Sequence, residues 1–129
     1  MLDADSALTL TDAVASHLTA TLHNDAQLRP VDGLCAEICQ LPADATADRY
    51  QVVLRPWLWW LTLASNNRVF QNLSTSDIVT TVFKAHGFTD FQLKLTGSYT
   101  PREYCVQYGE TDLAFVSRLM EEDGIFWFF

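Results

Sequence analysis

Five large apolar residues in a row, WLWWL at positions 57–61, constrain the fold more than any other feature of the sequence. The run is far too short for a membrane span, which needs about 20 apolar residues. We predict a β-strand, in which Trp57, Trp59 and Leu61 share one face and the residues between them share the other. Such a strand is either covered on both faces within a core or contributes aromatic side chains to a subunit contact.

The final residues of the sequence, Ile125–Phe129, are also large and apolar. We predict another strand here. An uncovered strand of this kind would be a sheet edge prone to aggregation, whereas the ends of natural domains are usually frayed. We therefore expect that the natural chain continues and that its next strand covers this one. The alternative is a buried last strand with both faces covered.

Alternating apolar and polar residues predict further strands in the first half of the chain. His17–His23 and Leu34–Leu41 alternate with a period of two, and the turn-like Val31–Gly33 before the second run indicates a hairpin. A loop is predicted at Pro42–Asp48. Tyr50–Arg55 is predicted as a strand that ends before a proline, since proline has no backbone N–H for a sheet.

Two helices are predicted from their end signals in the second half. Ser74 and Asp77 have the spacing of a capping box, and Gly87 is placed to follow the last helical residues. The second helix begins at Thr111 or Asp112, either of which is a competent N-cap. The apolar stripes of the two helices are Ile78, Val79, Val82 and Phe83 in the first, and Leu113, Val116, Leu119 and Met120 in the second.

Short strands are also predicted around the helices, at Phe91–Leu95 and Glu103–Tyr108. The sequence thus has a strand-rich half, residues 1–55, and a half of alternating strands and helices, residues 56–129. We treat the two halves as parts of one region. The predicted fold class is α+β, with antiparallel, barrel-like sheets and two short helices.

The charge of the chain argues against two classes of partner. The net charge is −8 and the pI is about 4.5, and an acidic surface repels nucleic-acid phosphates and anionic lipid. Asp3, Asp5 and Asp12 stand where a signal peptide carries positive charge. We expect a protein that is made in the cytoplasm without a signal peptide, with no nucleic-acid partner and no stable membrane insertion.

Residues that commonly bind metals are scattered along the sequence. The histidines and cysteines are His17, His23, His86, Cys35, Cys39 and Cys105. Cys35 and Cys39 share a face of the predicted strand, but a structural zinc site needs four ligands and no second pair accompanies them. The odd number of cysteines argues against a disulfide framework. We predict no metal-binding and no cofactor-binding residue.

Two groups of residues have the chemistry of a catalytic site. Cys105 and His86 would form a nucleophile and a base if the fold brought them together, although Cys105 lies in a predicted strand. Glu121–Asp123 supplies neighbouring carboxylates, but at a helix end and not across a cleft. Arg118 is spaced to pair with the first two of these acids. The acidic run is either a solvated helix end or a surface that meets basic groups of a missing domain or a neighbouring subunit. We assign no catalytic residue.

Four linked motifs resemble one known family. They are RPWLW at 55–59, FQN at 70–72, YTPREYCVQY at 99–108 and ETDLAFVSRLMEEDGI at 110–125. In this order and spacing they resemble the N-terminal region of the VgrG family, relatives of the phage late-control D proteins and of the T4 tail-hub protein. The resemblance is dense from Tyr50 to Phe129 and thinner before it.

The resemblance implies a structural protein of the type VI secretion spike, with a tail-hub fold that assembles as a homotrimer. It also implies three partners: the Hcp tube that the family caps, effector or cargo proteins, and spike-tip proteins. Export would take the folded protein through the type VI apparatus to the exterior or into target cells. Compared with the family, the chain is expected to be truncated at both ends.

Other functions remain open from the sequence. The same hub fold serves contractile phages and phage-like particles. A small hydrolase would use Cys105 with His86, or the acids at Glu121–Asp123. A self-contained binding module would be soluble, monomeric and cooperatively folded as the 129-residue chain.

Overall fold

The structure, a computed structural model, describes residues 10–24, 27–42 and 48–129. Within it the chain forms two compact units, Met1–Trp57 and Leu58–Phe129. The first unit is built on a three-stranded sheet, and the second combines a two-stranded sheet with two helices.

The first unit begins with a short helix, α1 (Leu10–Ala13), followed by three antiparallel strands. These are β1 (His17–Asn24), β2 (Gln27–Leu41) and β3 (Arg49–Arg55), and β2 lies in the middle of the sheet. All three predicted strands of this half are therefore confirmed. The second strand is longer than predicted, because it starts seven residues earlier at Gln27.

The hairpin between β1 and β2 is confirmed, but the predicted turn at Val31–Gly33 is wrong. These residues lie inside β2, where Gly33 pairs with Leu18, and the connection falls at residues 25–26, outside the described residues. A glycine is needed at position 33 because strand β3 passes close to it, and not because the chain turns there. A Cβ there would lie 3.0 Å from the carbonyl oxygen of Arg55 and 3.2 Å from Cβ of Leu54. The predicted loop at Pro42–Asp48 lies mostly outside the described residues.

A β-bulge in β2 changes which side chains share a face. Cys35 pairs with Leu54 and Glu37 pairs with Val53, so Ala36 is an extra residue between them. The simple alternation predicted for this strand therefore breaks at the bulge. Cys35 is fully buried, whereas Cys39 is exposed, so the two cysteines do not share one environment as predicted.

The second unit alternates strands and helices. Its strands are β4 (Ser65–Phe70) and β5 (Cys105–Thr111), which pair antiparallel, and its helices are α2 (Thr75–Ala85) and α3 (Asp112–Glu122). The sequence patterns predicted both helices and most of β5, but not β4. No strand forms at 91–95 or 125–129 in the described structure, so both of those predictions are wrong.

The WLWWL run is a 3₁₀ helix, Trp57–Thr62, and the strand predicted for it is wrong. A 3₁₀ helix has three residues per turn, so residues three apart lie on the same side. Leu58 and Leu61 have this spacing, and both are buried. Trp59 and Trp60 are half-buried and meet edge to face, with ring centroids 5.7 Å apart. The run therefore buries one stripe and does not need cover on two faces.

Both main helices begin and end where the sequence indicated. At α2 the backbone N–H of Asp77 donates to Ser74 Oγ (3.3 Å), and the N–H of Ser74 donates to Asp77 Oδ2 (3.2 Å), which completes the predicted capping box. Thr111 is the N-cap of α3. Gly87 and Gly124 follow the two C-caps with φ of 80° and 68°, a backbone conformation that glycine adopts without strain.

Replacing Ser74 with alanine is expected to lower the free energy of unfolding by about 1 kcal/mol, since an N-cap side chain satisfies a helix N–H that otherwise has no partner. Urea denaturation followed by circular dichroism measures the loss. Ser98→Ala, in an exposed irregular segment, is the matched control and is expected to change little. Equal stability of the two variants would show that the cap contributes nothing to α2.

The core of the second unit lies where α2 and α3 face the sheet. Phe70 of β4 stacks on Phe115 of α3, with centroids 5.6 Å apart and an angle of 16° between the rings. The predicted helix stripes are buried except for Leu113, which is half-buried. The fully buried apolar side chains of this unit are Leu61, Ile78, Val82, Phe115, Val116 and Leu119.

The observed architecture confirms the predicted α+β class of antiparallel sheets with short helices. The longest helices, α2 and α3, have 11 residues each. No helix among the described residues is long and apolar enough to cross a membrane.

Candidate functional site

A buried carboxylate, Asp112, organises the polar side chains of the second unit. Its Oδ1 accepts hydrogen bonds from Gln107 Nε2 (2.6 Å) and Asn66 Nδ2 (3.0 Å). Its Oδ2 contacts His86 Nε2 (2.5 Å) and Arg68 Nη2 (3.1 Å). The Asp112 side chain is 0% exposed. We call these five residues the Asp112 cluster.

Local structure explains how these side chains meet. Asp112 is the first residue of α3, where a negative charge is favoured by the helix dipole. Arg68 and Gln107 are cross-strand neighbours in β4 and β5, and such neighbours lie on the same face of a sheet. His86 is the C-cap residue of α2. The Asp112 cluster therefore joins both helices to both strands of this unit.

The cluster holds Asp112 in its charged form. Burial raises the pKa of this carboxyl, but hydrogen bonds from Gln107, His86 and Asn66 and the charge of Arg68 outweigh burial. The net result is a pKa below the ordinary value of 3.8. A buried charge with this many donors is compensated, whereas the same charge without them would destabilise the fold.

This shift makes the stability of the second unit dependent on pH. Because the folded-state pKa of Asp112 is depressed, its contribution is fully present above 3.8 and is lost as the pH falls below that value. Melting temperatures of the wild type and Asp112→Asn are therefore expected to differ most near neutral pH and to converge in acid. Asp90→Asn, at an exposed position, is the control. If the difference in melting temperature between the wild type and Asp112→Asn stayed constant down to about pH 2, Asp112 would not be the source of the pH dependence.

A second polar group connects the start of α2 to the end of α3. Arg102 donates from Nη1 to Glu122 Oε2 (2.6 Å), from Nη2 to Asp123 Oδ1 (3.2 Å) and from Nε to Thr75 Oγ1 (3.2 Å). Its backbone N–H donates to the carbonyl of Leu73 (2.9 Å). The hydrogen bond that Arg102 donates to Glu122 is the largest of the effects that raise the pKa of Arg102, so this residue remains charged.

The surroundings of the acidic run correct the sequence prediction. Arg118 pairs with Glu122 (3.4 Å), as predicted, but its shorter contact is to Glu110 (2.6 Å) in β5. No ion pair joins Arg118 to Glu121 in the described structure. Two of the three acids meet Arg102 of the same unit, so neither a fully solvated run nor basic groups of another subunit is needed to explain them. The contact between Arg102 and Glu122 could not be predicted from helix spacing, because the two residues are 20 positions apart in the sequence.

The two groups of residues that the sequence offered as possible catalytic sites do not form such sites in the described structure. His86 contacts Asp112, and no hydrogen bond joins it to Cys105 among the described residues. Burial raises the pKa of the Cys105 thiol, which opposes formation of the reactive thiolate. The carboxylates of Glu122 and Asp123 are held by Arg102. None of these arrangements has the geometry of a nucleophile with its base, or of two acids facing each other across a cleft.

Possible metal ligands are also not brought together. Within residues 10–24, 27–42 and 48–129, no three His, Cys, Asp or Glu side chains are grouped so that they could hold a metal ion. The three cysteines, Cys35, Cys39 and Cys105, are free.

The exposed apolar side chains form the remaining functional candidates. On β5 and just before it, Tyr108 is 83% exposed and Tyr104 is 61% exposed. After α3, Phe126 and Phe128 are 81% and 79% exposed, and Trp127 is half-exposed. Isolated exposed apolar residues are ordinary, but adjoining ones mark contact surfaces. These exposed residues are the remaining candidates for a contact surface.

Several known proteins are similar in sequence to this chain. The type VI secretion system spike protein VgrG1b of Pseudomonas aeruginosa is 47% identical over 112 residues, which cover 87% of this chain and 15% of that protein. VgrG1c of the same organism is 50% identical over 97 residues, covering 75% of this chain and 13% of that protein. The chain therefore spans only about a seventh of the length of these relatives.

A solved structure also matches. It is that of the E. coli c3393 protein, described as a component of the type VI secretion system with structural similarity to T4 bacteriophage tail proteins gp27 and gp5. The TM-score is 0.76 at 31% identity, over 90% of this chain and 32% of that one. The resemblance to VgrG proteins predicted from four motifs is confirmed. Residues 1–129 match the phage tail baseplate hub (GPD) family throughout, and the chain belongs to that family.

Proposed function

We propose that the chain is a structural part of a type VI secretion spike hub and acts through protein contacts, without catalysis. The observation that carries the proposal is the match of the whole chain to the baseplate hub family, together with 47% identity to a spike protein over 87% of its length. Identity at that level preserves the fold and many surface residues. The absence of an assembled catalytic pair among the described residues is compatible with the same role.

The assembly that we propose follows the family resemblance. Residues 1–129 form one tail-hub-like region that associates as a homotrimer in the complete protein. The trimer caps the Hcp tube and carries effector, cargo or spike-tip proteins. The protein is made in the cytoplasm without a signal peptide and leaves through the type VI apparatus.

The polar clusters of the second unit support a mechanical role. A hub subunit transmits force, so its elements must keep their relative positions under load. The Asp112 cluster joins α2 and α3 to both strands, and Arg102 joins the opposite ends of the same helices. The buried Asp112 carboxylate is held by four side chains of the cluster, so displacement of either helix would leave this charge with fewer partners.

A chimera tests the proposed role. The matching residues of VgrG1b in P. aeruginosa are replaced by those of this chain, in cells that lack their own VgrG1b. We expect the chimera to form trimers and to be found, with Hcp, in the culture medium. Secretion depends on a working hub, so this readout does not depend on any enzyme activity of the spike.

The matched control for the chimera carries Phe115→Lys, which places a charge at a fully buried core position. This variant should be neither assembled nor secreted. A chimera that accumulates as a folded protein in the cells but is not secreted would contradict the type VI role. The runner-up, a hub of a contractile phage particle, would then be favoured, because the matching family is the phage tail baseplate hub.

A further inference from the structure

Residues 88–104 form a long irregular connection between α2 and β5. In the described structure its one sheet-like pairing is a single bridge between Arg102 and Leu73. None of these residues is buried, although the elements on both sides contribute to the core. Irregular connections longer than about 12–15 residues are uncommon inside a domain, and those that occur usually have a function. We call this connection the 88–104 segment.

The 88–104 segment is attached near its two ends. At its start, the N–H of Phe88 donates to the carbonyl of Phe83 (3.1 Å), and the ring of Phe91 meets that of Phe83 edge to face (5.2 Å). Near its end, Arg102 contacts the start of α2 and the end of α3 through its backbone N–H and its guanidinium. The residues between these attachments are exposed or half-buried. A segment with so little buried surface can open locally at a lower free-energy cost than unfolding of the whole unit.

The attachment through Arg102 is electrostatic and accessible to solvent. The Arg102 and Asp123 side chains are each 26% exposed, and that of Glu122 is 44% exposed. Ion pairs in contact with water are weakened by dissolved salt, because counterions screen the charges. The Asp112 cluster differs, since its carboxylate is fully buried. The two polar connections between α2 and α3 are therefore expected to respond differently to added positive charge.

We propose that Arg102 is a latch that holds the 88–104 segment closed and that opens when other cations occupy Glu122 and Asp123. A competing cation takes over the two carboxylates, and the released guanidinium is hydrated at the surface. Arg102 then leaves the start of α2. The Asp112 cluster stays intact, so α2 and α3 remain connected while the segment opens.

The latch links the end of α3 to the state of the 88–104 segment. A basic side chain of a partner competes for the same carboxylates as Arg102, and its binding energy shifts the equilibrium toward the open segment. Thr75, which is fully buried and accepts a hydrogen bond from Arg102 Nε, becomes accessible in that state. The inference concerns contacts within one copy of the chain, so it goes beyond the proposed function and does not rest on it.

Limited digestion with trypsin tests the latch, because Lys94 is an exposed cleavage site inside the 88–104 segment. Cleavage at a site that must open first follows the population of the open state. Arg102→Met removes the charge and is expected to speed cleavage after Lys94 about tenfold, because two partly exposed ion pairs are lost. Arg118→Met is the matched control, since Arg118 also pairs with acids but none of its hydrogen bonds in the described structure reaches the segment. It should leave the cleavage rate unchanged.

Hydrogen exchange of the unmodified chain, followed by NMR, is the second test. The N–H of Arg102 donates to the carbonyl of Leu73, and the N–H of Asp112 donates to that of Ala64, so their exchange rates report on the two connections separately. Raising NaCl from about 0.1 M to about 1 M shortens the screening length from about 10 Å to about 3 Å. We expect exchange at Arg102 to become about fivefold faster and exchange at Asp112 to stay unchanged. Tetralysine at constant ionic strength should reproduce the effect, whereas tetraglycine should not.

Any of three results would overturn the inference. These are equal cleavage rates for Arg102→Met and Arg118→Met, equal acceleration by salt at Arg102 and Asp112, and no response to tetralysine. Equal acceleration would mean that salt loosens the whole unit and that no separate latch exists. The proposed function is judged separately by secretion of the chimera. A secreted chimera combined with any of these three results would reject the latch and leave the hub role standing.

Discussion

Replacing Asp112 with alanine is expected to lower the free energy of unfolding by about 3–5 kcal/mol, the range observed when one partner of a buried charge pair is removed. The alanine leaves Arg68 with its charge unpaired and His86, Asn66 and Gln107 without their shared acceptor. Gln107 is fully buried, so water cannot replace the lost acceptor without entering the core. A loss of this size is a large part of the stability of an ordinary domain.

Urea denaturation at neutral pH measures the effect, with tryptophan fluorescence and circular dichroism as independent probes. Asp90→Ala removes an exposed aspartate and is expected to change stability by less than about 0.5 kcal/mol. The difference in the free energy of unfolding between the two variants separates the contribution of the buried cluster from the general effect of removing a negative charge. If Asp112→Ala were as stable as Asp90→Ala, the cluster would not hold the second unit together.

The helices of the second unit could be predicted because their signals are local. Ser74 and Asp77 are three residues apart, and their reciprocal hydrogen bonds follow from helix geometry alone. Gly87 and Gly124 adopt positive φ, which is a property of single residues. Such features need no knowledge of the rest of the fold, so sequence and structure agree on them within one residue.

The WLWWL run was assigned to the wrong element because a short apolar run carries no reliable period. Five apolar residues fit a strand buried on both faces as well as a single helical turn. The distinguishing fact is that only Leu58 and Leu61 of the run are buried, which depends on what packs against it. The turn assigned to Val31–Gly33 failed for a similar reason, since Gly33 is explained by the nearby backbone of β3.

The Asp112 cluster could not be predicted, because its members are distant in sequence. His86 is 26 residues from Asp112, and Asn66 is 46 residues away. Two features of the sequence are consistent with the cluster. Gln107 alternates with the buried Cys105 along β5, which places an amide on the inner face of the sheet. Asp112 also begins a helix whose next turn is apolar, so its side chain starts close to the core.

Replacing Phe115 with alanine is the other change with a large expected effect, about 3–5 kcal/mol of the free energy of unfolding. The side chain is fully buried and stacks on Phe70, so alanine removes both apolar burial and an aromatic pair. The Arg118 guanidinium lies 5.5 Å from the centre of the Phe115 ring and would lose that contact as well. Phe115→Leu keeps most of the volume and should lose less than half as much.

The matched control is Tyr108→Ala, because Tyr108 is an aromatic residue of the same unit that is 83% exposed. It is expected to change stability by less than about 0.5 kcal/mol. The pH dependence separates this prediction from that for Asp112. The loss caused by Phe115→Ala is apolar and should persist below pH 3.8, whereas the loss caused by Asp112→Ala should shrink there as the wild-type carboxylate becomes protonated. Equal shrinkage for both variants would mean that acid loosens the core as a whole, and that the Asp112 charge is not the group that titrates.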